Sequence, residues 1–203
     1  MGQQEGTTPL HVAAATGAIA EVRTLLTAGV AVDAVDGQGR TALLLAVQED
    51  RVEVARVLLD AGASPNVQAA NEDTPWLLAG ASGRTAILAA MIAHAPDVSI
   101  RNRFGGNALI PACEQGHVET VELLLKTPIE VDHINRLGWT CLLEVVLLGD
   151  GGKRHQEVAR MVLSAGADPN LADGQGVTPL AHAVARGQTE IAAIIRAAGG
   201  RMK

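Results

Sequence analysis

Side chains able to do chemistry are few in this 203-residue sequence, and they are scattered. Six histidines, His11, His94, His117, His133, His155 and His182, show no metal spacing beyond chance, and Cys113 and Cys141 form no CxxC pair or other ligand set. The two cysteines read as small core residues not bonded to each other. No nucleophile, base and orienting group stand together, so catalysis is not the expected role, and neither a metal nor another cofactor is implied. Gly149-Asp150-Gly151-Gly152-Lys153-Arg154 is glycine-rich with a basic end, but GxxxxGK[ST] spacing fails and no strand-loop-helix context surrounds it. It is not read as a phosphate loop.

Composition narrows the setting. Hydrophobic residues make up 48% of the chain but aromatics only 1%: Phe104, Trp76 and Trp139, with no tyrosine. Cores that lack large rings must be built by close packing of helices rich in Ala, Leu and Val. The formal net charge of −6 gives no overall positive field to gather nucleic acid or an anionic membrane, so neither is an expected partner. No apolar run reaches membrane-spanning length, and Met1-Gly2-Gln3-Gln4-Glu5 shows no basic region followed by an apolar stretch. A monomeric, cytoplasmic protein is expected, or a periplasmic or secreted one if a signal peptide has been removed.

The strongest signal is internal repetition. Thr8 in Thr8-Pro9-Leu10-His11 recurs as Thr41, Thr74, Asn107, Thr140 and Thr178, at spacings of 33, 33, 33, 33 and 38. Five residues are therefore inserted in the fifth unit, near Asp150. Each anchor is a good helix N-cap, and Pro9, Pro75 and Pro179 suit the first helical turn. A glycine stands two residues before every anchor except at Glu72, and another closes each first helix except at Asp50. Second helices follow with Glu53, Glu119, Glu157 and Glu190 in their first turns and leucine pairs such as Leu58-Leu59. Trp76 replaces the leucine of the motif and belongs in the core.

Six phased copies of this pattern resemble ankyrin repeats. The fold expected is an all-α solenoid of six helix-turn-helix repeats with short hairpin-like tips, residues 1–203 forming a single domain. Arg103-Phe104-Gly105-Gly106, Pro111-Ala112-Cys113-Glu114, Gly138-Trp139-Thr140-Cys141-Leu142-Leu143-Glu144 and Asp150-Gly151-Gly152 are similar to a family of small bacterial ankyrin proteins of undefined function. The resemblance implies a concave binding face made of tips and first helices.

Carried onto this chain, the positions that contact partners in ankyrin proteins are small or polar in most units: Gln4, Glu5, Thr7, Ala15 and Thr16, then Gly37, Gln38, Arg40, Gln48 and Glu49. The third and sixth units are similarly bland. In the fourth and fifth they read Arg103, Phe104, Glu114 and Gln115, then Arg136, Leu137, Trp139, Leu147 and Leu148. Aromatic residues and arginine are the types enriched at interface hot spots. Phe104 and Trp139 either anchor a partner or fold over neighbouring tips. Arg103 and Arg136, at equivalent tip positions, either offer paired guanidiniums to a carboxylate or phosphate or form a solvated face.

Glu144 and His182 share the fifth position of their first helices, where other units carry Val12, Leu45, Leu78 and Pro111. A carboxylate on an apolar stripe is costly alone, so a Glu144 to His182 contact or a polar ligand is expected there. The expected function is protein binding through the groove of repeats three to six. The alternative is a small molecule or peptide, less readily an enzyme substrate, held in a polar pocket of Glu144, Asp150 and His182 near Trp139.

Overall fold

The repeated instructions fold as twelve helices in six pairs among the described residues, 6–203, of the computed structural model. Two compact units, Met1–Arg103 and Phe104–Lys203, hold three pairs each. In the first unit the pairs are α1 (Pro9–Thr16) with α2 (Ile19–Thr27), α3 (Ala42–Gln48) with α4 (Val52–Asp60), and α5 (Pro75–Ala81) with α6 (Thr85–Ile92). In the second they are α7 (Leu109–Glu114) with α8 (Val118–Leu124), α9 (Cys141–Leu147) with α10 (Lys153–Ser164), and α11 (Pro179–Ala185) with α12 (Thr189–Ala197).

The anchors act as caps. The hydroxyls of Thr41, Thr74, Thr140 and Thr178 each accept the backbone N–H three residues on, and Asn107 Oδ1 accepts from Leu109 and Ile110. Those bonds satisfy donors that the first helical turn would otherwise leave orphaned. The two departures from the glycine pattern keep its backbone shape: Asp50 and Glu72 stand at φ +54° and +64°, in the left-handed region where glycine is strain-free.

First helices pack on first helices and second on second: α1 on α3 and α3 on α5 in one unit, α7 on α9 and α9 on α11 in the other. Small buried residues such as Ala46, Ala79, Ala112 and Ala183 let these helices approach closely. Trp76 is buried, at 1% exposure, as its motif position predicts. The tips are looser than hairpins: one isolated bridge, Val35 to Thr41, occurs and no strand among the described residues. No described helix is long and apolar enough to cross a membrane.

One expectation fails. Cys113 and Cys141 are joined by a disulfide that ties α7 to α9, both residues being buried. Membership of different repeats was the ground for separating them, but stacking is what brings neighbouring first helices together, and their Cα atoms lie 5.6 Å apart. The five inserted residues also do more than lengthen a loop. They help extend α10 to 12 residues, against 7 in α8.

Candidate functional site

In the second unit a single device builds the fifth and sixth tips. Asn135 and Asp173 both lie five residues before their anchors. Asn135 Oδ1 accepts the backbone N–H groups of Leu137 (2.9 Å) and Trp139 (3.1 Å), while its Nδ2 donates to Glu144 Oε1 at 2.8 Å. Asp173 Oδ1 accepts from Gln175 and Val177, and its Oδ2 pairs with His182 Nε2 at 2.7 Å. One side-chain oxygen thus closes the turn, and the remaining atom ties that turn to position five of the following helix.

The direct Glu144 to His182 pairing expected from their shared position is therefore not formed. Each bonds the Asn or Asp of its own tip, because that residue projects a second polar atom along the path to position five. Asp36 in the first unit closes its turn in the same way and spends its second oxygen on Arg40. The signal was readable as an Asn or Asp five residues before the anchor, at Asp36, Asn102, Asn135 and Asp173. The Val177 amide, aided by the His182 ring, holds the Asp173 carboxyl below its ordinary range.

Glu144 is the unusual group. It is 3% exposed, and its Oε2 has no hydrogen-bond partner. Burial, reinforced by the nearby charge of Glu114 and opposed by the Asn135 bond, pushes its carboxyl up to about 7. Asp150 stands apart from it: Asp150 Oδ1 accepts the Gly152 N–H (2.7 Å) and faces His155 Nδ1 (2.7 Å), while His155 Nε2 meets the backbone oxygen of Glu114 (2.8 Å). Those contacts, led by the Gly152 amide, keep Asp150 below the usual carboxylate range. His155, unassigned by sequence reasoning, is thus the pin that holds the inserted loop to the end of α7, and Gln188 holds it from the sixth repeat through the carbonyls of Val146 and Gly149.

The other predicted residues distribute as follows. The Arg136 N–H donates to the Phe104 carbonyl at 2.9 Å, so the fourth and fifth tips are hydrogen-bonded backbone to backbone. A Cβ at Gly105 would stand 2.9 Å from Arg136 Cγ, which is why that tip needs glycine. Phe104 (51% exposed), Leu137 (57%) and Leu148 (50%) are open to solvent, Gln115 is exposed, and Glu114, Trp139 and Leu147 are half-buried. Trp139 is thus less open than a free tip residue. Arg103 ends the first unit, where its charge partly offsets the burial that raises the Asp73 carboxyl. In that unit the positions read as bland line two clefts: one of about 350 Å³ includes His11, Asp36, Arg40 and Glu49, and one of about 400 Å³ includes Gln38, Gln48 and Asn71. Gln4 and Glu5 lie outside the described residues.

The sequence and the fold both match known proteins. The family model for ankyrin repeats (3 copies) matches residues 1–69 and 71–173. The ankyrin repeat protein YahD of Escherichia coli strain K12 is 41% identical over 189 residues, covering 93% of this chain and 94% of its own. An ankyrin repeat domain from Acinetobacter baumannii superposes with a TM-score of 0.92 at 44% identity, over 95% of this chain and 98% of that one. The ankyrin repeat domain of Bcl-3, a member of the IkappaB protein family, gives 0.86 at 28% identity over 97% of this chain and 88% of its own. Helix pairs, capped anchors, stacked tips and these matches agree: the chain belongs to the ankyrin-repeat family.

Proposed function

We propose that this protein binds another protein through the tips and first helices of repeats four to six. Ankyrin repeats are in general protein-interaction modules, and what supports the use of this face is one observation. Phe104, Leu137 and Leu148 are at least half exposed on a surface whose backbone is held by tip-to-tip and tip-to-helix hydrogen bonds. Large apolar side chains held in water on a rigid frame cost little entropy to bury against a partner. Arg136 and the half-buried Trp139 add the residue types that anchor interfaces.

Binding rather than catalysis fits the polar groups. His155 and His182 each meet a carboxylate, but neither touches a hydroxyl or thiol that could attack a substrate, and both cysteines are spent on each other. The disulfide supports an oxidising compartment, periplasm or exterior, over the cytoplasm. Alkylation of intact cells before lysis would test that: thiols trapped free on Cys113 and Cys141 would return the protein to the cytoplasm.

The binding surface is tested by comparing variants in capture and cross-linking from the source cell. Leu137→Ala and Trp139→Ala are expected to weaken retention of a specific partner at least tenfold, while Gln38→Ala in the first unit leaves it unchanged. Equal retention by all three would place the partner elsewhere.

A further inference from the structure

Ten residues after their anchors, discounting the five inserted, Arg51, His155 and Gln188 occupy one position of the repeat. Each reaches back to a carbonyl near the end of the preceding repeat's first helix: Arg51 Nε to Ala15 (3.0 Å), His155 Nε2 to Glu114 (2.8 Å) and Gln188 Nε2 to Val146 (3.1 Å). Arginine and glutamine donate there at any pH, whereas histidine does not. The second ring nitrogen of His155 makes the difference. Its Nδ1 lies 2.7 Å from Asp150 Oδ1, a carboxylate that the Gly152 amide and the ring itself keep below the ordinary range. Carboxylate and carbonyl oxygens only accept, so both contacts are hydrogen bonds only while the ring carries two N–H groups, as imidazolium. His11 is built otherwise: its Nδ1 accepts the Thr8 N–H (3.2 Å), its Nε2 meets the Arg40 carbonyl (2.9 Å), and a neutral ring serves both.

We infer that His155 is a proton-operated latch: as imidazolium it ties the inserted loop, through Asp150, to the end of α7, and loss of one proton opens the link at Asp150. The ring is the fixed part. Its side chain is 10% exposed, and a Cβ built on Gly149 would stand 2.6 Å from Cδ2 and one on Gly116 3.3 Å from Nε2, so glycine backbone lies against it from the loop and from the end of α7. Asp150, its side chain 79% exposed, can turn into water. Facing a bare Nδ1 it would set lone pair against lone pair, while Nε2 keeps its hydrogen for the Glu114 carbonyl. Asp150 Oδ1 also accepts the Gly152 N–H at 2.7 Å, so its departure loosens the entry to α10.

Gln156 and Gln188 hold the Gly151 and Gly149 carbonyls whatever the pH, which confines the change to Asp150 and the first turn of α10. The titratable groups on the elements packed against α10 are Glu114 of α7, Glu119 and Glu122 of α8 with His117 at its cap, Glu144 of α9, and Glu190 and Arg196 of α12. Lys153 and Arg154 precede the ring on α10 itself. None of these side chains bonds the ring, so the charge it meets is that of Asp150. The link is therefore complete in acid and lost as pH rises. Leu148, half exposed, precedes the loop, which puts the latch at the edge of the proposed binding face, but the latch does not depend on that reading.

The test is an NMR titration of the full ¹⁵N-labelled chain between about pH 5 and about pH 8, the span over which histidine changes charge, reading the His155 ring nitrogens and the Gly152 amide. Both ring nitrogens should carry hydrogen at the acid end and Nε2 alone at the other. The Gly152 amide proton should move upfield along the same curve, as its acceptor leaves. His155→Gln, which puts the sixth repeat's residue in the fifth, should make Gly152 indifferent to pH. Glu144→Gln removes the carboxyl pushed up to about 7 in the same repeat and should leave the Gly152 curve in place. The latch is overturned by a ring that keeps its last hydrogen on Nδ1, or by a Gly152 signal that ignores the ring. A Gly152 curve that survives His155→Gln or vanishes in Glu144→Gln overturns it as well.

Discussion

Single residues here carry opposite kinds of stress. Trp76 is a large ring in a buried position, so Trp76→Ala should cost about 3 to 5 kcal/mol, visible as a lower Tm. Part of that loss is returned because the indole N–H is buried without an acceptor. Trp139, half-buried at a tip, should cost about 1 kcal/mol in the same melt. If both variants melt alike, the tip aromatic belongs to the core. Glu144 predicts a pH effect of unusual sign. Its folded-state value lies above that of an unfolded glutamate, so its contribution to stability is full below about 4.5, declines as pH rises, and is gone above about 7. Denaturant melts should therefore show Glu144→Gln gaining on the parent by about 2 kcal/mol between pH 5 and pH 8. A parent whose stability does not fall over that range would mean Glu144 is solvated.

At the scale of elements, the second unit is braced by links absent from the local motif. The disulfide closes a loop spanning 28 residues between α7 and α9, and chain-entropy arguments give such a closure about 3 to 4 kcal/mol. Reduction followed by alkylation, or a Cys113→Ala/Cys141→Ala double variant, should lower the denaturation midpoint accordingly and speed amide exchange in α7 and α9. An unchanged midpoint would show that packing alone holds the two helices. The repeat predicts the start of the first helix of each pair well because the Thr or Asn anchor and the residues after it act locally. It predicts less about α10, in whose first turn His155 reaches across to Asp150 and to the Glu114 carbonyl. Nothing in the local sequence of the insertion specifies that reach.

For the whole molecule, stability in a repeat protein is a sum of repeat and nearest-neighbour terms. In the second unit α11 covers α9 and α12 covers α10, whose Val158, Ala159 and Val162 are fully buried. Removing residues 175–203 should therefore expose that apolar flank and drive aggregation, readable by light scattering. A soluble truncation that still melts cooperatively would show that the remaining five repeats need no sixth to cover them.

The sequence by itself determined what short-range physics controls: a 33-residue period, helices opened at capped anchors, small residues where helices close on each other, and Trp76 inside. It even carried the left-handed turns at Asp50 and Glu72, because phase, not residue type, imposed them. Tertiary structure decided which side chains meet. Membership of different repeats kept Cys113 and Cys141 apart, equivalence of position joined Glu144 to His182, and both inferences fail for one reason. Stacking fixes backbone register between repeats, but a bond forms between whichever groups have reach and complementary chemistry. Sulfurs at unlike motif positions had it across α7 and α9, and the tip residues Asn135 and Asp173 had it ahead of any neighbour in the row.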